Sequence, residues 1–186
     1  MITVTVPRFE GFDEQSERFF TVKETTLQLE HSLISLRTWE QKWHIPFLND
    51  NKEKTKEQLV DYIRCMTINK NVDPLVYYVI PQRIMDEITA YLEDPMTATT
   101  FGSDGDIVTK TKKRRIITAE VLYYWMVEFG IPVEFEKWHL NTLLTLIRVI
   151  SEERKYASGK AKRPKMSAAD RAALNAKRRE KYHSKG

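Results

Sequence analysis

The apolar residues of this chain change their spacing once, and that change limits the fold more than any other feature. Up to residue 31, Ile2-Val4-Val6, Phe20-Val22 and Leu27-Leu29 recur at every second position, the period of a strand with one buried face. From Leu33 onward they recur at every third or fourth position, the period of a helix with one buried stripe. Ile2-Thr3-Val4-Thr5-Val6 alternates cleanly and predicts a half-buried strand. Pro7 ends it, and Gly11 is expected in the loop that follows. Arg18-Phe19-Phe20-Thr21-Val22-Lys23 predicts a second strand, and Leu27 and Leu29, with His31 in phase, a third. Three such segments predict a small antiparallel sheet.

The helical half carries its own start and stop signals. Leu33, Leu36, Trp39 or Glu40, and Trp43 share a face that ends at His44-Ile45-Pro46. Asn49–Lys54 is a polar loop. Thr55 is an N-cap for a helix facing inward with Leu59, Tyr62, Ile63 and Met66, because its hydroxyl can accept from first-turn amides. Asp73-Pro74 is a second start, with Asp capping and Pro at the first helical position. Pro81 leads into a helix with Ile84, Ile88, Tyr91 and Leu92, which Asp94-Pro95 stops. Met96–Arg115 contains Gly102, Gly105 and the run Lys110–Arg115, and reads as a hairpin with an exposed tip or as a mobile loop. Thr118 starts a helix whose broad stripe of Val121, Leu122, Trp125, Met126 and Phe129 predicts deep burial, with Gly130 as its C′ cap. The last helix of the body is expected to run from Phe135 through Trp138, Leu140, Leu143, Leu144 and Ile147 to Ile150.

After Ser151 the composition shifts. Residues 152–186 contain twelve Lys and Arg against four Asp and Glu, a net +8, so the chain total of +4 leaves residues 1–151 at −4. An acidic body with a basic appendage is the signature of a segment that docks on something acidic. Tyr156–Lys165 reads as a linker. Ser167-Ala168-Ala169-Asp170 resembles a capping box, and Ala172 to Arg179 are good helix formers. With little apolar bulk, that helix is marginal alone and is expected to order on a partner. The domain reading is a globular body at 1–151, β-rich over 1–31 and helical over 33–151, with a basic linker and partner-binding tail at 152–186. The candidate partner-binding residues are Lys162, Arg163, Lys165, Arg171, Leu174, Lys177, Arg178 and Arg179.

Constellations that would carry chemistry are weak. The four histidines, His31, His44, His139 and His183, show no His-x₃-His spacing and no flanking cysteine pair, so no zinc ligand set is legible. His139, next to Trp138, reads as a hydrogen-bonded core histidine. Cys65, the single cysteine, reads as a buried inert thiol and excludes an intramolecular disulfide. Gly102-Ser103-Asp104-Gly105-Asp106 lacks the spaced oxygen ligands of a calcium loop. Tyr77, Tyr78, Tyr123, Tyr124 and Trp125 lack interleaved basic residues and read as core rather than as base-stacking groups. The expectations are no catalytic residue, no metal and no cofactor. No run of roughly 20 apolar residues is present to span a bilayer.

Several strings resemble a family of tailed-bacteriophage proteins from the virion-structure and tail-assembly region. They are Thr26-Leu27-Gln28-Leu29-Glu30-His31-Ser32-Leu33, Trp39-Glu40-Gln41-Lys42-Trp43, Asp61-Tyr62-Ile63-Arg64-Cys65-Met66-Thr67, Pro95–Phe101, Lys137-Trp138-His139-Leu140-Asn141, and the ending from Met166 to Gly186. The resemblance implies a tail assembly chaperone or minor virion component and supplies no catalytic motif. It implies phage tail or virion proteins as partners, met through an acidic surface or a helical segment. It also implies an oligomeric assembly and a place in the host cytoplasm during assembly or in the virion. Sequence-neutral nucleic-acid binding by the basic tail is the rival expectation. The fold class expected is α+β: a small N-terminal antiparallel sheet, a mainly helical body and a basic C-terminal tail with a short helix.

Overall fold

A computed structural model describes residues 1–14, 17–48, 54–99, 101, 116–159, 172 and 175–179. The fold is α+β, with strands at the N-terminus and a mainly helical body after them. Two compact units are formed, Met1–Val149 and Ile150–Gly186.

Four strands are present rather than three: β1 (Ile2–Val6), β2 (Phe9–Asp13), β3 (Arg18–Val22) and β4 (Thr25–Leu29). The expected single sheet is instead two ladders, β1 with β4 and β2 with β3, both antiparallel. Pairs run from Ile2↔Leu29 to Val6↔Thr25, and from Phe9↔Val22 to Asp13↔Arg18. Partner numbers add to 31 in both ladders, so they form one hairpin in unbroken register. The interruption falls at Pro7 and Arg8, where proline has no amide to give a ladder. The side facing the core changes there. Val4, Val6, Leu27 and Leu29 are buried from the first ladder. In the second ladder the buried residue is Val22, which shares its face with Phe9, while Phe20 packs partly against the core.

Gly11 therefore lies in a strand, not in a loop. A Cβ there would come within 2.5 Å of Phe20 Cζ and 2.8 Å of Phe9 Cε1. The missing side chain is the space those two rings occupy. β4 stops at Leu29, and His31 lies beyond it.

The helices are α1 (Leu33–Trp43), α2 (Lys56–Met66), α3 (Gln82–Glu93), α4 (Ala119–Phe129) and α5 (Leu140–Ala157), with 3-10 turns at Pro74–Tyr78 and Val133–Lys137. Thr55 caps α2 as expected, and Gln58 returns a bond to the Thr55 amide, closing a capping box. Asp73 caps its turn through the Leu75 amide. Gly130 ends α4 at φ 68°, where a Cβ would be strained. Leu59, expected to face inward on α2, is exposed, and the neighbouring Val60 is buried.

Two further expectations fail for identifiable reasons. The last helix begins at Leu140 rather than Phe135, because Val133–Lys137 is a separate 3-10 turn whose Phe135 and Trp138 rings stack at 3.8 Å. The same helix continues past the expected boundary, taking in Tyr156 and Ala157. α4 is not deeply buried: Ala119, Leu122 and Met126 face inward, while Val127 is 82% exposed and Tyr124 57%. The stripe of Val121, Leu122, Trp125, Met126 and Phe129 does face inward, but Val121, Trp125 and Phe129 are only half-buried, and the opposite side carries Glu120 and Glu128 beside Tyr124 and Val127. Most of Met96–Arg115, including Lys110–Arg115, lies outside the described residues.

One core joins the inward face of the hairpin to Trp39, Val60, Tyr62, Ile63, Met66, Val76, Tyr77, Ile84, Ile88 and Tyr91. Leu33, Leu36, Leu122, Leu140 and Leu143 are also fully buried.

Candidate functional site

The hairpin that builds this core leaves its far end apolar on the outside. In the β2–β3 ladder Phe12 faces Phe19, and Glu10 faces Thr21. These pairs alternate with the Phe9–Val22 and Gly11–Phe20 pairs and so project from the opposite face. The Phe12 and Phe19 rings lie 5.0 Å apart, in the tilted range favoured by aromatic pairs. Phe19 is 84% exposed and Phe12 50%. An isolated two-stranded ribbon is marginal in water, and this one is held at its root by Val22 and Phe20. The ribbon end carries Glu14 and Glu17 in solvent, with Glu17 at φ 53°. At the root Arg8 pairs with Glu10. The surface is thus an aromatic pair bordered by charge, the composition of an interface centre with a polar rim.

The basic tail is the second candidate. Lys177, Arg178 and Arg179 are helical and exposed. Consecutive helical positions are about 100° apart, so three neighbours fan around the helix and present a broad positive stub rather than a directed fork. Lys162, Arg163, Lys165, Arg171 and Leu174 lie outside the described residues.

The residues screened for chemistry are occupied in other ways. His139 is buried, as expected. Its Nε2 lies 3.2 Å from the Tyr91 carbonyl, and its Nδ1 lies 3.3 Å from the Asn141 amide. His31, which sequence alone could not assign, is buried beside it, with the ring centroids 5.1 Å apart and Nδ1 2.6 Å from the Tyr62 hydroxyl. Burial, then the neighbouring His139, holds His31 down to about 3. Burial also lowers His139. Cys65 is half-buried rather than buried, and desolvation pushes its thiol up to about 11, so it is protonated at neutral pH. Of the aromatic set, Tyr77 is buried, whereas Tyr78 and Tyr124 are exposed against expectation. Tyr123 donates to Glu136 at 2.7 Å beneath the Arg37 guanidinium.

A cleft of about 70 Å³ is lined by Lys42, Trp43, Asp61, Arg64, Tyr77 and Tyr78. That is room for a few waters. Its buried acid, Asp61, already accepts from Lys42 and from Trp43 Nε1. Among the described residues no three His, Cys, Asp or Glu side chains are grouped to hold a metal, and no helix is long and apolar enough to cross a membrane.

No family model, curated protein or solved structure matches this chain. Sequence reasoning found Phe19 and Phe20 as strand residues but missed the outward aromatic pair. No alternation marked that segment: in Phe9-Glu10-Gly11-Phe12 the two rings are three apart and so fall on opposite faces of the strand.

Proposed function

We propose that this chain is a non-enzymatic interaction protein of tailed-phage morphogenesis, binding tail proteins as an assembly chaperone or minor virion component. The observation that carries the binding role is the Phe12–Phe19 pair, held in solvent on the face of a ribbon turned away from the core. Exposing two adjacent rings costs solubility, and a partner that covers them recovers their burial, about 1.5–3 kcal/mol for each fully buried ring. The exposed cations Lys177, Arg178 and Arg179 offer a second contact, suited to an acidic protein surface. The resemblance of the strings quoted above supports the phage setting.

The test is co-purification of the full chain with tail and virion proteins from infected cells. Phe12→Thr/Phe19→Thr keeps strand propensity while removing the rings. Tail proteins should be captured by the intact chain and lost with the double variant, whose melting temperature should change little. Failure of the intact chain to retain any phage structural protein would sink the reading.

The exposed basic stub favours one alternative, sequence-neutral nucleic-acid binding. That reading requires DNA affinity that falls steeply with salt and disappears when residues 160–186 are deleted.

A further inference from the structure

The start of α5 is built on two histidines, and the bonds of the His139 ring require that ring to be neutral. His139 occupies the N-cap position: its carbonyl accepts from the Leu143 amide at 3.1 Å, the first bond of the helix. Its Nδ1 accepts from the Asn141 amide, replacing the serine or aspartate oxygen usual at that position. A backbone amide can only donate, so Nδ1 is bare. The Tyr91 carbonyl can only accept, so Nε2 carries the hydrogen. Both ring nitrogens are thereby committed. His31 is bound into the same junction. Its carbonyl accepts from the Leu140 amide at 2.7 Å, and Ser32 bridges to His139. The two rings meet edge to face inside the protein.

We propose that the His31–His139 pair is an acid-operated latch, in which protonation of His139 uncaps α5 and frees its first turn from the junction between β4 and α1. The proton must go to Nδ1, since Nε2 already holds one. An N–H then points at the Asn141 N–H and the capping bond is lost. The imidazolium also sits at the positive end of the helix dipole, where cations are disfavoured, and beside the second buried ring.

The charged and titratable groups around the pair divide in their effect. Burial and the Met1 ammonium, which pairs with Glu30 at 2.7 Å, oppose a positive charge at His139, and burial and then His139 oppose one at His31. Glu30, after β4, and Asp94, at the end of α3, favour one at His139. Tyr62 from α2 and Tyr91 from α3 are raised by burial and stay neutral. Acid therefore opens the latch by trapping the released imidazole in water, where it titrates near 6.5.

The amides to follow are Leu140, Asn141 and Leu143, whose acceptors all belong to the pair. Hydrogen exchange of the full chain between pH 7.5 and 5, corrected for intrinsic rates, should show their protection falling below pH 6.5. The fall should be about tenfold per pH unit for each histidine that takes up a proton. Amides in the middle of α2 should not follow. His139→Asn keeps a capping acceptor that does not titrate and should remove one tenfold step from the slope. Protection that is flat with pH in the intact chain, or a slope unchanged in His139→Asn, overturns the latch. Should that variant not fold, ¹⁵N shifts of the intact chain decide: His139 must be the Nε2–H tautomer at pH 7.5, and the Nδ1–H tautomer overturns the proposal.

Discussion

Glu40 shows how one side chain can join elements that the sequence keeps far apart. It lies on α1, is 8% exposed, and accepts from the Phe47 amide at 2.8 Å and the Ala119 amide at 2.7 Å. Ala119 is the first residue of α4, whose own N-cap, Thr118, makes no side-chain capping bond. The carboxylate thus replaces the missing cap across 79 positions and lies at the positive end of the α4 dipole. Burial raises its pKa, and the two amides pull the other way. Glu40→Ala leaves two amides without acceptors, one of them fully buried, and should destabilise the fold by about 2–4 kcal/mol in urea unfolding. Glu40→Gln keeps one good acceptor and should cost about half as much. Equal losses from the two variants would show that one remaining acceptor does not serve as a cap and that both carboxylate oxygens are needed. Position 40 was legible as a possible inward residue through its spacing. The use of its charge was not, because the donor comes from a segment that no local pattern links to α1. The local Thr55–Gln58 box, by contrast, could be read directly, since both partners lie within one turn.

The hairpin belongs to the scale of the element. Its first ladder follows the alternation of Ile2, Val4 and Val6 and was legible. Its second ladder was half-missed, because the inward face changes sides at Pro7 and a glycine occupies the middle of β2. Gly11 is usually a reason to doubt a strand, and here it lets two rings lie across the ribbon. Gly11→Ala puts a methyl into the space of Phe20 and Phe9. Phe9 is 43% exposed and can swing outward, but Phe20 must leave its place on the core. The expected result is local: exchange of β2 and β3 amides speeds up about tenfold, and β1 and β4 amides keep their protection. Uniform loss across all four strands would mean that the two ladders form one cooperative unit and that Pro7 does not divide them. The mirror case is α4, where a broad apolar stripe signalled deep burial that only three residues of the helix achieve.

For the whole molecule, the buried titratable groups set a window of maximum stability. His31 has a folded value of about 3 against an ordinary 6.5, and His139 is also lowered. A lowered histidine binds its proton more readily when unfolded. Its contribution is therefore complete above about pH 6.5 and declines as pH falls toward the folded value. Each proton taken up costs about 1.4 kcal/mol per pH unit, so His31 alone removes about 2 kcal/mol between pH 6.5 and 5. Few ordinary carboxylates titrate in that interval, which makes it the place to read the histidines. On the other side Cys65 is raised from 9.0 to about 11 and Tyr123 from 10.0 to about 12, both first by burial. A raised acid ionises first in the unfolded chain, so stability is complete below pH 9 and declines above it. Urea unfolding across pH 5–10 should thus give a plateau between about pH 6.5 and 9 with a falling limb on each side. His31→Asn, which keeps a polar side chain that does not titrate beside the Tyr62 hydroxyl, should reduce the acid slope by about one proton and leave the alkaline limb alone. Cys65→Ala should soften the first part of the alkaline limb and leave the acid one alone. An acid limb unchanged by His31→Asn would mean that the buried ring finds its proton as easily folded as unfolded, which its burial and its distance from His139 both oppose.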